Sequence, residues 1–245
     1  MKALVVLSGG LDSTAALRLS QEQYDEVEAI SFDYKQKQRV ELELAAKSCA
    51  RLGVKHQVLD ISFLNDINKG FSANTDSDME MPTIEDVLGE PQPVTYVANR
   101  NMILMSIAAS YAETRGIERI ICGFQVNDTY GYHDTSPIFV QKLNDVLDEN
   151  RTHKIKIIAP FVEMSKLDEL KAVMELDGNL DLFATTITCY NPDKEGKSCG
   201  VCPSCSERLN AFKQIGVKDP IAYVQEEVQE DVPESFIFAL KAVYK

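Results

Sequence analysis

The first thirteen residues constrain the fold more than any other stretch. Lys2-Ala-Leu-Val-Val-Leu7 is a short apolar run, and Ser8-Gly9-Gly10-Leu11-Asp12-Ser13 follows at once. An apolar run of that length ending in glycine reads as a strand buried on both faces. The glycines turn the chain, and a helix is expected from about Asp12 to Gln23. Strand, glycine turn and helix in that order open a parallel α/β unit.

The alternation continues down the chain. Further strands are expected over residues 27–32, 55–61, 118–123 and 155–159. Helices are expected over 38–52 and 99–115, then after Ser136-Pro137 and after Ser165. Val40, Leu44, Ala45, Cys49 and Leu52 share one helical face, and Gly53 ends that helix. Ser136-Pro137 is a good cap and first-turn pair. Ser165-Lys-Leu-Asp168 has the form of a capping box. Residues 62–95 are acidic, hold three prolines and keep no period, so they read as a long loop. The predicted fold is therefore α/β: a Rossmann-like parallel sheet with helices on both faces over residues 1–185. A small four-cysteine subdomain is expected over 186–245, with a short helix at 204–214 and a last docked helix at 234–243. Ligands in such sheets lie beyond the carboxyl ends of the strands. The segments after Leu7, Ile30, Gly123 and Ala159 open on that edge.

The loop at residues 8–13 has the chemistry of a phosphate site. Glycines let the backbone approach anionic oxygens, and amide N–H groups at a helix start bind them. Ser8, Ser13 and Thr14 add hydroxyl donors. Asp12 makes sense in an anion site if a cation comes too, and a polyphosphate brings Mg²⁺. No Gly-Lys-Ser/Thr follows, so this is not a Walker A loop, and the spacing is not that of a dinucleotide fingerprint.

Four of the six cysteines crowd into one stretch, Cys189, Cys199, Cys202 and Cys205. Four thiolates at short spacings describe a closed, structural Zn²⁺ site, with Gly200 and Pro203 suiting the tight turns. An iron–sulfur cluster uses the same soft ligands and is the alternative. Cys49 and Cys122 stand alone in apolar surroundings and read as buried, inert thiols.

The formal net charge is −13, from 25 Lys and Arg against 38 Asp and Glu. That lacks the basic footprint of a nucleic-acid binder. The local cluster Lys35, Lys37 and Arg39 reads as a solvated helix start. No apolar run approaches the ~20 residues of a membrane span, and Met1–Leu7 is too short for a signal-peptide core. A cytoplasmic enzyme acting on a small molecule is expected.

The six-residue loop string matches the signature of the ATP pyrophosphatases, which cleave ATP between the α- and β-phosphates. Over nearly its whole length the chain resembles the QueC family. The resemblance is carried by Val6–Thr14, Ser31-Phe32-Asp33-Tyr34, Thr188-Cys189-Tyr190-Asn191 and Cys199-Gly200-x-Cys202-Pro203-x-Cys205. It implies an ATP segment at Leu7, Ser8, Gly9, Gly10, Leu11, Asp12, Ser13, Thr14, Ala15, Ala16 and Leu17, and zinc on the four cysteines. It implies a ligase that turns 7-carboxy-7-deazaguanine and ammonia into the nitrile through an acyl adenylate and an amide. Asp12, Ser13 and Lys166 are the expected catalytic residues, and Arg100 is expected to bind ATP. Asn101, Asp128, Tyr132 and Asp134 are expected at the purine-like substrate: an aromatic to stack and a carboxylate to meet the guanidine-like edge. The chain's length leaves no room for a glutaminase domain, so free or partner-supplied ammonia is expected. A homodimer through the 99–115 helix is also expected.

The chain departs from the family in three loops. Val97-Ala98-Asn99-Arg100-Asn101 stands where the family has Pro-Gly-Arg-Asn, with Asn99 for the glycine. Lys35-Gln-Lys37 replaces a Gly-Gln-Arg-like run. In Asp128-Thr129-Tyr130-Gly131-Tyr132-His133-Asp134-Thr135-Ser136 a Cys-Arg pair is lost. These departures raise the variant of an enzyme that stops at the amide. A tRNA-thiolating relative would need a basic surface and a free catalytic cysteine pair, which the charge and the cysteine cluster oppose. A scaffold that only binds nucleotide is opposed by the intact Asp12 and Ser13.

Overall fold

The computed structural model describes residues 1–76, 78–79, 92–125 and 132–224. Five parallel strands form one sheet in the order β3-β2-β1-β4-β5. They are β1 (Lys2–Val6), β2 (Glu26–Asp33), β3 (Lys55–Asp60), β4 (Arg119–Cys122) and β5 (Lys156–Ile158). The register runs Lys2↔Glu26 to Val6↔Ile30 on one side of β1 and Ala3↔Arg119 to Val6↔Cys122 on the other. Strand order reverses at β1, so the crevice between β1 and β4 is the switch point where ligands gather.

The helices follow the expected alternation. They are α1 (Leu11–Gln23), α2 (Val40–Leu52), α3 (Phe63–Ile67), α4 (Arg100–Glu113), α5 (Pro137–Asp148), α6 (Lys166–Asp177) and α7 (Pro203–Ile215). The start and stop signals behave as their chemistry requires. Ser136 accepts the Phe139 N–H with Pro137 in the first turn, and Ser165 and Asp168 form the reciprocal capping box. Gly53 ends α2 in the left-handed region at φ 67°. The expected loop over 62–95 is corrected at its start: five residues wind into α3, although they carry no helical period to announce it. The expected helix at 234–243 lies outside the described residues.

Each strand sends alternate side chains to two cores. Leu4, Ile30, Ile120 and Ile157 pack with α4 and α5 on one face. Ala3, Val5, Ala29 and Ile121 pack with α1, α2, α6 and α7 on the other. Helix α7 bridges to a third cluster around Cys189, Cys202, Cys205 and Tyr223, so residues 186–224 rest on the sheet domain through Ala211 and Phe212. Beneath it, the fully buried Arg208 holds Asp219 at 2.7 and 2.9 Å, Thr186 at 2.8 Å and the Phe183 carbonyl at 3.1 Å. Among the described residues no helix is long and apolar enough to cross a membrane.

Two non-glycine residues have left-handed backbone among the described residues, Lys35 at φ 58° and Asn99 at φ 50°. For an L-residue that conformation costs roughly 1–2 kcal/mol, least for Asn. Lys35→Gly is expected to raise stability by about 1 kcal/mol and Asn99→Gly by less, read from urea midpoints. Arg208→Ala leaves the buried Asp219 without its counter-charge, although Tyr223 still donates to it, and is expected to cost about 3–5 kcal/mol in the same measurement.

Candidate active site

The phosphate loop is held in shape by its own hydroxyls. Ser8 N–H donates to Ser13 Oγ at 3.2 Å, the two serine hydroxyls are 2.9 Å apart, and Gly10 N–H donates to Ser8 Oγ at 3.2 Å. Its glycine is needed for space. A Cβ on Gly9, at φ 95°, would lie 2.1 Å from the Glu41 carbonyl oxygen. A Cβ on Gly123, just beyond β4, would lie 2.6 Å from the Ser13 nitrogen. The first turn of α2 and the end of β4 therefore clamp the loop from two sides.

A cavity of about 260 Å³ opens over this loop. Leu7, Ser8, Gly10, Asp12 and Ser13 form its floor. Leu11, Thr14, Ala15, Ala16 and Leu17 are instead buried beneath it, and Thr14 Oγ1 is enclosed with no hydrogen-bond partner. Arg100 and Asn101 enter from the start of α4, with Tyr132 and Thr135 beside them. Arg100 Nη1 donates to the Tyr34 hydroxyl at 3.2 Å, and the Tyr132 hydroxyl lies 2.7 Å from Thr95 Oγ1. Asp134 has a different post from the one its type invites. Its carboxylate accepts the Asn101 N–H at 3.2 Å, while the Asn101 amide donates to the Asp134 carbonyl at 3.2 Å. It caps α4, and its second oxygen is buried without a partner. His133 is exposed, its ring against Tyr96 at 5.5 Å. Asp128 and Tyr130 lie outside the described residues.

Lys166 is not a solvated first-turn lysine. It is 3% exposed, with its ammonium 2.5 Å from Asp12 and 3.5 Å from Glu207. Burial alone would lower its pKa, but Asp12, Glu207 and Glu169 outweigh that and hold it above its ordinary value. Gln125 donates to Glu207 at 3.1 Å. Glu169 is fully buried, and neither carboxyl oxygen has a hydrogen-bond partner. Desolvation, then the neighbouring Asp12, raise its pKa well above the carboxylate range. Three carboxyl groups thus surround one ammonium at the foot of the phosphate loop.

The four cysteine sulfurs all lie within 4.8 Å of one another. A tetrahedral ion bonded at ~2.3 Å sets sulfur–sulfur edges near 3.8 Å, so the set fits one ion. Cys189 Sγ accepts N–H groups of Asn191 at 3.3 Å and Cys199 at 3.2 Å, and Cys199 Sγ accepts that of Cys202 at 3.4 Å. Such donors suit thiolates rather than thiols. Cys49 and Cys122 are buried, and desolvation pushes both thiols up to about 12, which leaves them inert.

The sequence pointed to the loop, the cysteines, Lys166 and Arg100: the structure brings the loop and Arg100 to one cavity, Lys166 to Asp12, and the cysteines to one cluster. The sequence did not point to Glu41, Glu169 and Glu207, which reach the cavity or the Lys166 cluster from three different helices. Glu169 alone left a trace, three residues after Lys166 on the same helical face.

Sheet order, loop and cavity define a parallel α/β protein with a glycine-rich loop under a cavity at its switch point. The chain belongs to the family described as queuosine biosynthesis protein QueC, whose model matches residues 2–216. It is 38% identical over 224 residues to the 7-cyano-7-deazaguanine synthase of Pseudoalteromonas atlantica, covering 91% of this chain and 98% of that protein. It is 40% identical over 222 residues to the synthase of the same name from Psychromonas ingrahamii, covering 91% and 97%. Among solved structures it is similar to the U34-tRNA thiolase NcsA of Methanococcus maripaludis, at TM-score 0.48 and 14% identity, covering 100% of this chain and 70% of that one. A likeness that distant carries no functional argument.

Glu41 lines the cavity, and desolvation pushes its carboxyl up to about 8 against the pull of Arg100. A carboxyl whose pKa is raised by folding favours the native state fully below its unfolded value. That contribution is lost as pH rises from there through about 8. The ligand-free protein is therefore expected to lose melting temperature between pH 5 and 8, and Glu41→Gln is expected to flatten the slope, measured by calorimetry across that range.

Proposed function

We propose that this cavity joins ATP to the carboxylate of 7-carboxy-7-deazaguanine and lets ammonia convert the activated carbon to the nitrile. The activity is that of an ATP-dependent ligase forming carbon–nitrogen bonds. The observation that carries this reading is the single cavity: the phosphate loop and the aromatic, Arg100-bearing wall line one space. A carboxylate bound against that wall lies beside the α-phosphate of a nucleotide seated on the loop.

The chemistry balances in two rounds. The carboxylate oxygen attacks the α-phosphorus, pyrophosphate leaves, and an acyl adenylate forms. Ammonia adds to its carbonyl carbon, AMP leaves, and one proton is lost to give the amide. The amide oxygen attacks a second α-phosphorus and expels pyrophosphate. Loss of AMP and of both nitrogen protons leaves the carbon–nitrogen triple bond. The chain's own part is positioning and electrostatics. Ser8 and Ser13 fix the loop, and their hydroxyls with the loop amides face the phosphates. Lys166 fixes one oxygen of Asp12. Arg100, close to Tyr34, offers a permanent positive charge to the reacting anions.

Mg²⁺ fits the foot of the loop, where Asp12 and Glu207 outnumber Lys166 in charge. Asp12 would hold it, and it would neutralise charge on the leaving pyrophosphate. Zinc fits the cysteines, because an iron–sulfur core would hold the sulfurs further apart than a single ion does. Its role there is structural, with no open position. Asn101 and Tyr132 are assigned to the substrate, and Asp134 to holding Asn101. We assign the nitrogen donor as free ammonia, the location as the cytoplasm and the assembly as a homodimer. Met102, exposed on α4, supports placing the contact on that helix.

Purified protein given 7-carboxy-7-deazaguanine, ATP, Mg²⁺ and ammonium is expected to yield the nitrile with two AMP per turnover, read by mass spectrometry. Amide as the only product would revise the reaction, and neither product would sink the substrate. Lys166→Met is expected to lower kcat by about 10²-fold or more, since Asp12 loses its partner and Asp12 and Glu207 lose their counter-charge. Metal analysis is expected to find one zinc per chain, and Cys202→Ser is expected to lose it together with native melting behaviour.

A further inference from the structure

Glu41 is a carboxyl with no work in the fold. It stands in the first turn of α2, half-buried, and faces the cavity. Among the described residues nothing hydrogen-bonds its side chain, and Arg100 is the charge that acts on it. A desolvated carboxyl left unpaired is costly, so such a group is kept where a ligand completes it. Nothing described above uses it: the phosphate loop takes its backbone carbonyl, through Gly9, and not its side chain.

We infer that Glu41 is the residue that selects the base, by accepting the two adjacent N–H groups of its 2-amino-4-oxo-pyrimidine edge. This rests on the function proposed above and names what that site reads.

The match is one of donor and acceptor order. That ring edge presents a carbonyl oxygen, then a ring N–H, then an amino N–H. Arg100 has only donors and the Glu41 carboxylate only acceptors, and they occupy the same cavity. Arg100 meets the carbonyl, and the two carboxylate oxygens meet the two N–H groups. Adenine fits the pair poorly, because its ring nitrogen would turn a lone pair toward a carboxylate oxygen. The ring lies among Phe32, Tyr34, Phe124 and Tyr132, which line the same space. The charged group that acts on Glu41 is therefore Arg100, which also donates to the Tyr34 hydroxyl. A bound ring with two donors favours the ionised carboxylate that the empty cavity disfavours.

The test compares wild type, Glu41→Gln and Glu41→Asp on 7-carboxy-7-deazaguanine and its analogue without the 2-amino group. For each, kcat and KM are measured for base and for ATP. A site built to hydrogen-bond an amino group is expected to reject the analogue by about 10²-fold or more. Glu41→Gln, which presents one donor where an acceptor is needed, is expected to raise KM for the base at least about 10-fold. It should leave KM for ATP within about 2-fold and reduce discrimination against the analogue to about 3-fold or less. Glu41→Asp keeps the acceptors and should keep most of the discrimination. Unchanged discrimination in Glu41→Gln overturns the inference, as does a rise in KM for ATP alone, which would place Glu41 at the nucleotide. A loss in kcat with neither KM moved also overturns it. If Glu41→Gln does not fold, discrimination by Glu41→Asp decides: retained supports the inference, lost overturns it. A wild type that converts neither compound removes the function reading and this inference with it. A wild type that converts the substrate separates the two.

Discussion

Lys166 is the point on which three parts of the molecule turn. Its ammonium reaches Asp12 at the start of α1 and Glu207 in α7 from its own place at the start of α6. Taking these charges out of water is expensive, and their attraction repays it only while the set is complete. The value of the cluster lies less in stability than in geometry. It sets the direction of Asp12, the carboxylate proposed above to hold the cation. Glu169, buried beside them with both oxygens unpartnered, is pushed toward its uncharged form by desolvation and by Asp12, so Asp12 and Glu207 are the two charges that the lysine alone does not balance. A site held slightly short of positive charge is poised for a substrate that arrives with a divalent ion.

The departures from the family gain a physical meaning in the backbone. Both positions where a glycine is replaced, Lys35 and Asn99, keep the left-handed conformation that glycine would adopt without cost. Lys35 follows Tyr34, Asn99 precedes Arg100, and the side chains of Tyr34 and Arg100 meet across the cavity. The turn geometry is retained although its easiest residue is gone. The departures therefore alter the stiffness of these loops more than their shape.

Much of the fold was legible in the sequence because its signals are local. Apolar runs, the Ser165–Asp168 box, Ser136-Pro137 and Gly53 each act within a few residues of themselves. The phosphate loop and the cysteine set are local strings too. Short helix α3 was not legible, since five residues carry too little pattern for a period. The carboxyl groups at positions 41, 169 and 207 were not legible for a different reason. Glu41 reaches the cavity and Glu169 and Glu207 reach Lys166 only when α2, α6 and α7 have packed, and a glutamate on a helix ordinarily faces solvent. Asp134 shows the converse: its residue type invited a ligand, while its position beside the first turn of α4 gave it a hydrogen bond from the Asn101 N–H.

Helix α7 begins between two cysteines of the metal set and, within its first two turns, carries Ser204 into the cavity wall and Glu207 to Lys166. The cysteine centre and the phosphate centre therefore share one rigid rod. Stripping the ion from the thiolates would loosen the start of that rod and pull a carboxylate away from the lysine that orients Asp12. A chelator would then silence the enzyme through its scaffold, with the same outward sign as theft of the ion that accompanies ATP. Sensitivity to chelation would for this architecture report on mechanical continuity, and an ion on the cysteines and one accompanying the nucleotide would be told apart only by which one restores the activity.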